Sequence, residues 1–133
     1  MMSYKKTALV VLFNSNGEVL SVSRKDNHYD KGLIGGKMDD TDETEEAAAI
    51  RETKEETGLD IFNLRLIFVM HKDGYMGYTY LADWSGELYT KEPHVLEWVP
   101  FITVINESTY GTWNRLVAES LKSMGVRFKM FSW

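Results

Sequence analysis

Three carboxylates, Glu52, Glu55 and Glu56, are spaced i, i+3 and i+4, so on a helix they share one face, and Glu45 falls on that face two turns earlier. Like charges placed this way repel one another. A helix has no stability reason to gather them unless cations sit there. Hard divalent ions with oxygen ligands, Mg2+ or Mn2+, match such a set. The competing reading is a solvated helix face held by i, i+4 pairs such as Arg51 with Glu55.

The element that must carry these residues is a helix over 44–57. It contains no Pro or Gly and has three consecutive alanines, Ala47 to Ala49. Thr44 is placed to cap it, with Glu45 and Glu46 facing the positive end of the helix dipole; Asp42 with Glu45 is the alternative cap. Gly58 stands where a left-handed cap would close it. Ile50, Thr53 and Thr57 lie opposite the glutamates and are expected on the core. Ahead of the helix, Gly35 and Gly36 let backbone approach a ligand closely and leave a carbonyl free for a metal.

Gly36 is followed after six residues by Glu43, then after seven by Arg51-Glu52-Thr53-Lys54-Glu55-Glu56-Thr57-Gly58-Leu59. This run resembles the box of the Nudix hydrolases, Gly-x5-Glu-x7-Arg-Glu-U-x-Glu-Glu-x-Gly-U, with U a bulky aliphatic residue. The first spacer is one residue longer than the family pattern, and we align Gly35-Gly36-Lys37 with the family's Gly-Gly-Lys, placing the extra residue in the loop from Asp39 to Asp42. Thr53 stands at a position that is usually aliphatic, and Ile34 where many members have Pro.

The resemblance implies an α+β fold, a Nudix-like α/β/α sandwich with a mixed β-sheet. It implies Glu52, Glu55 and Glu56 and the Gly36 carbonyl as metal ligands, with Mg2+ as cofactor and Mn2+ as an alternative, and Lys37 near the substrate phosphates. It makes Arg24, at the end of a strand, a phosphate-binding residue, against its other reading as part of a surface pair of bases with Lys25. Glu97, just before Trp98-Val99, becomes a fourth carboxylate. Arg51 pairs with Glu43 or Glu55 and aims the ligands, while Glu43 is structural. The catalytic set is then Glu52, Glu55, Glu56 and Glu97; Glu52 or Glu56 orients or deprotonates the water, with Glu97 the other base.

Composition bounds the rest. A chain of 133 residues with 44% hydrophobic residues predicts one domain with a sizeable core. The absence of cysteine excludes disulfides and thiolate chemistry. No basic, apolar, small-residue leader opens the chain and no apolar run approaches a membrane span, so a cytoplasmic location is expected. The net charge of −5 is uneven: between Asp39 and Asp60 lie ten acids and two bases, and the remainder carries +3. The acidity therefore belongs to the box, which divalent ions would convert into an anion site. The partner expected is a small nucleotide, with no nucleic acid and no membrane, and with a homodimer left open.

Along the chain, Tyr4 to Phe13 reads as a strand buried on both faces; Asn14 to Gly17 is a turn, and Glu18 to Arg24 its antiparallel partner. Gly32 to Gly36 is a short strand into the box; His28 and Tyr29, in the polar loop before it, could line the mouth of the site or simply be solvated. Leu64–Met70 and Tyr75–Asp83 form a hairpin around Lys72-Asp73-Gly74. Tyr75, Tyr78, Tyr80 and Trp84 could wall a nucleobase, with Tyr78 as the substrate-binding residue, or pack on a sheet face. His94 to Pro100 is a strand, Thr103 to Glu107 a helical turn, Trp113 to Met124 a helix and Val126 to Phe131 a final strand.

Among family substrates, the proline that marks ADP-ribose hydrolases is missing, since the only prolines are Pro93 and Pro100. Tyr75 and Tyr78 lie near the tyrosine position of dinucleoside polyphosphate hydrolases. The small form is most similar to the nucleoside triphosphate pyrophosphohydrolases, including those that clear oxidised nucleotides. ADP-ribose or nucleotide-sugar hydrolysis, a non-catalytic nucleotide sensor on the same fold, and a structural protein with an acidic helix are the rivals.

Overall fold

The computed structural model describes residues 5–39, 44–91 and 93–132. A four-stranded sheet runs in the order β4-β1-β6-β5, from β1 (Lys5–Val11), β4 (Ile34–Lys37), β5 (Asp60–Lys72) and β6 (Tyr75–Ser85). It is mixed: β1 is parallel to β6 and antiparallel to β4, and β5 and β6 form an antiparallel hairpin. A smaller sheet has the order β3-β2-β7, from β2 (Val19–Ser23), β3 (Lys31–Gly32) and β7 (Leu96–Val99).

Helix α1 (Glu45–Thr57) covers one face of the large sheet, and α2 (Phe101–Asn106) and α3 (Gly111–Ser123) cover the other. This is the expected α+β arrangement, a sandwich around a mixed sheet. The alternation of β1 divides two cores. Ala8 and Val10 pack with Ala48, Ala49 and Tyr80 beneath α1, whereas Val11 packs with Leu81, Val104, Trp113 and Val117 beneath α2 and α3. Burial on both faces is why this stretch is continuously apolar.

Helix α1 begins as its sequence dictates. Thr44 is extended, and its hydroxyl accepts from the Ala47 amide at 3.0 Å. Gly58 adopts the left-handed conformation, and its amide donates to the Lys54 carbonyl. Thr53 and Thr57 are fully buried, and each hydroxyl donates to a carbonyl one turn back, Ala49 and Thr53 respectively. Ile50 departs from expectation at 45% exposed. The alanines bring α1 close to the sheet through Ala48 and Ala49, and Ile50 falls outside that contact.

Three strand assignments need correction. Residues 19–23 do not pair along β1, whose two edges are taken by β4 and β6; only a bridge between Phe13 and Val19 joins them. Residues 32–36 divide at Leu33 between the two sheets. Residues 126–131 form no strand. Their carbonyls instead cap α2: the Phe101 amide donates to Lys129 and the Ile102 amide to Met130, each at 2.8 Å. Pro100, at the cap of α2, offers no side-chain acceptor, so these donors are satisfied by the tail.

Candidate active site

A cavity of about 450 Å³ opens between the α3 side of the large sheet, the end of β2, β3 and the first turn of α3. Glu56, Gly35 and Gly36 form one wall, Arg24 and Lys37 the rim, and Leu9, Trp113 and Asn114 the apolar and amide lining.

Glu56 is positioned by backbone. Its Oε1 accepts from the Gly35 amide at 2.9 Å, which ties the last turn of α1 to β4. The buried imidazole of His94 stands 3.1 Å from the Glu56 carbonyl and holds the same turn from outside. The isolated position of His94 in the sequence gave no sign of this role.

Glu52 lies against Gly36, where a Cβ would come within 3.1 Å of its Oε1 and 3.2 Å of its Oε2. Glycine there keeps backbone and carboxylate in close approach. Burial holds the Glu52 carboxyl above its ordinary range; Arg51 opposes this, and the charges of Glu55 and Asp39 add to it. Glu55 turns outward and is 52% exposed, against 16% for Glu52. Between them, Nη1 of Arg51 stands 3.2 Å from Glu55, 3.3 Å from Glu52 and 3.5 Å from Asp39. Of its two expected partners, Glu55 is in place; Glu43 lies outside the described residues, as does the loop at 40–42.

Among the described residues, no three acidic or histidine side chains already stand as a metal cage. The donors nevertheless fit a hard divalent ion. They are carboxylate oxygens on one helix face, with a glycine backbone beside them that carries no side chain in the way. Arg51 lies between the carboxylates of Glu52 and Glu55 and partly balances their charge.

The other sequence candidates divide. Arg24 and Lys37 line the cavity. Tyr78 does not: strand alternation turns it to the α1 face, where Lys6 Nζ lies 5.9 Å from its ring centroid. Tyr80 and Trp84 pack on that face too, and the cavity receives Tyr75 instead. The parity is set by Gly77, which shares a face with Tyr75, and by the parallel register of Thr7 with Gly77. The carboxylate of Glu97 is engaged by Lys31 at 3.1 Å, and neither residue lines the cavity. His28 contacts the Pro93 carbonyl, and Tyr29 is exposed outside the cavity.

Trp113 and Asn114 carry no signal in the sequence beyond the amphipathic spacing of their helix. The Trp113 indole occupies the space over Gly77, where a Cβ would fall 2.4 Å from its ring. It meets Phe68 edge-on at 5.3 Å between centroids. Asn114 is buried and donates from Nδ2 to the Val104 carbonyl at 2.7 Å.

A MutT NUDIX hydrolase from Burkholderia pseudomallei superimposes with a TM-score of 0.71 at 26% identity, covering 90% of this chain and 99% of that one. An ADP-ribose pyrophosphatase from Streptococcus suis shares the fold with a TM-score of 0.75 at 19% identity, covering 92% of each chain. A search of curated proteins returns no match. A family model described as the NUDIX domain matches residues 3–120. That match spans the glutamate-bearing helix, the double glycine and the sheet that joins them, and the chain belongs to the Nudix family of pyrophosphohydrolases.

Proposed function

We propose that this protein hydrolyses a phosphoanhydride of a nucleoside diphosphate linked to another group. The favoured substrate is a (d)NTP or an oxidised (d)NTP, with release of pyrophosphate and with Mg2+, or Mn2+, as cofactor. The observation that carries the reading is the wall of the cavity: Glu56, fixed to the Gly35 amide, faces the same space as Arg24 and Lys37. Carboxylates beside cations suit a polyphosphate that enters with divalent ions.

Glu52, Glu55, Glu56 and the Gly36 carbonyl would hold the metal, which when bound neutralises phosphate oxygens and acidifies a water. Glu56 is the residue best placed to orient the attacking water, because it alone of the three helix glutamates lines the cavity. Arg51 draws Glu52 and Glu55 together. Arg24 and Lys37 take the phosphates, and Leu9 and Trp113 offer an apolar surface to the base. The volume of about 450 Å³ suits one nucleoside. The cysteine-free composition suits a cytoplasmic location. A second reading, a dinucleoside polyphosphate substrate, is favoured by Tyr75, which lines the cavity beside Lys37.

The test is a panel of dNTPs, NTPs, 8-oxo-dGTP, ADP-ribose, a dinucleoside tetraphosphate and nucleotide sugars with Mg2+, reading pyrophosphate and phosphate separately. Glu56→Gln retains an oxygen for the Gly35 amide and so should fold, while turnover falls by several orders of magnitude. Near-normal turnover in that variant would reject the assignment. Metal-dependent binding without cleavage by the wild type would point to a sensor.

A further inference from the structure

Lys5, Lys37, Lys72 and Tyr75 share one face and one end of the large sheet. Lys5 opens β1 in register with Tyr75, Lys37 closes β4, and Lys72 closes β5 opposite Tyr75. Two ammonium groups approach the same ring, Lys37 Nζ at 5.4 Å and Lys5 Nζ at 5.8 Å from its centroid. Lys37, Lys72 and Tyr75 line the cavity at its mouth, with Asp73 beside them.

Lys5, Lys37 and Lys72 thus gather at one end of the sheet. Among the described residues none of the three is held in an ion pair, whereas Lys6, Lys31 and Lys54 are paired with Glu45, Glu97 and Asp60. Two positive charges at one phenol, with Lys72 in register beside it, repel one another as the carboxylates of α1 do. The Lys5–Tyr75 row lies four residues along β1 from Leu9, which is paired with Gly35 beside Glu56. That is roughly 13 Å of strand, so the rim is removed from the anhydride that Glu56 would face.

We propose that Lys5 and Lys72 form an anion-binding rim beside Lys37 that takes a further phosphate of the substrate, one beyond the anhydride that is cleaved. This rests on the hydrolase reading and narrows it to nucleotides with an additional phosphate, either in line on the polyphosphate or as a monoester on the sugar. Lys5 and Lys72 are then residues that set specificity.

The experiment compares wild type with a Lys5→Gln/Lys72→Gln double variant, and with Lys5→Arg/Lys72→Arg. Calorimetry with inorganic tripolyphosphate at low salt, without divalent metal, is expected to show roughly tenfold weaker binding in the Gln variant. The Arg variant should recover it, and high salt should remove the difference. Kinetics with Mg2+ then compare a nucleoside triphosphate with its diphosphate, and ADP-ribose with its 2′-phosphate. Preference for the more phosphorylated member should fall about tenfold in the Gln variant, through KM rather than kcat, in the first pair for an in-line phosphate and in the second for a sugar monoester. Equal tripolyphosphate affinity in wild type and Gln variant, or unchanged discrimination in both pairs, would overturn the rim. If no nucleotide is hydrolysed while the tripolyphosphate difference persists, the hydrolase reading fails and the anion site stands.

Discussion

The two adjacent glycines of the box should fail in different ways when each is replaced by alanine. At Gly35, φ is +140°, and a Cβ would stand 2.2 Å from the Ala8 carbonyl oxygen and 2.8 Å from Leu9 Cα. Both are backbone atoms of β1, which is hydrogen-bonded to β4 on one side and β6 on the other, so neither can retreat alone. Backbone strain and overpacking together cost about 3–5 kcal/mol, a large part of the stability of a small domain. The melting temperature should fall by roughly 10–20 °C. At Gly36 the nearest atoms a new Cβ would meet are those of the Glu52 carboxylate, at 3.1–3.2 Å. That side chain can give by a few tenths of an ångström at about 1 kcal/mol or less, for a loss of about 4 °C at most. The same shift, however, moves a proposed metal ligand. Activity, or the apparent affinity for Mg2+, should drop about 10–100-fold. Scanning calorimetry and the Mg2+ dependence of the initial rate read the two effects separately. Equal destabilisation by Gly35→Ala and Gly36→Ala, or wild-type metal dependence in Gly36→Ala, would refute the reasoning.

Further outcomes follow from single contacts. Asn114→Ala removes the buried donor to the Val104 carbonyl and should cost about 2–3 kcal/mol in denaturant unfolding. Gly77→Ala should push the Trp113 indole from its place over the strand, alter the near-ultraviolet dichroism and destabilise by about 1–3 kcal/mol. The Glu45 carboxyl is held below its ordinary value of 4.5, chiefly by the hydrogen bond from Lys6. A depressed carboxyl stabilises the fold above its unfolded-state value and loses that contribution as pH falls through the folded-state value. Glu45→Gln should therefore flatten the acid limb of the stability profile slightly, and less so at high salt. Glu52 has the opposite sign. Its raised carboxyl penalises the ionised folded state, and that penalty is relieved as pH falls.

The helix that carries the chemistry was legible because its signals are local. Thr44, the alanines and Gly58 define its ends, and the spacing of Glu52, Glu55 and Glu56 follows from helical geometry alone. The β5–β6 hairpin was legible for the same reason, with Asp73 and Gly74 supplying the positive φ of its turn. Pairing between distant strands was not. Nothing local to residues 19–23 says that both edges of β1 are already taken, or that residues 126–131 serve α2 rather than a sheet.

The cavity belongs to the same class of fact. Whether Tyr75 or Tyr78 faces it depends on the register of β6 against β1, and a one-residue slip would exchange them. Trp113 and Asn114 enter it because α3 crosses the face where Gly77 leaves room. The sequence by itself determined the donor atoms and the helix that spaces them, since a helix repeats every 3.6 residues wherever it sits. Only the tertiary structure decided which of those atoms meet an open space, because that depends on contacts between residues far apart in the chain.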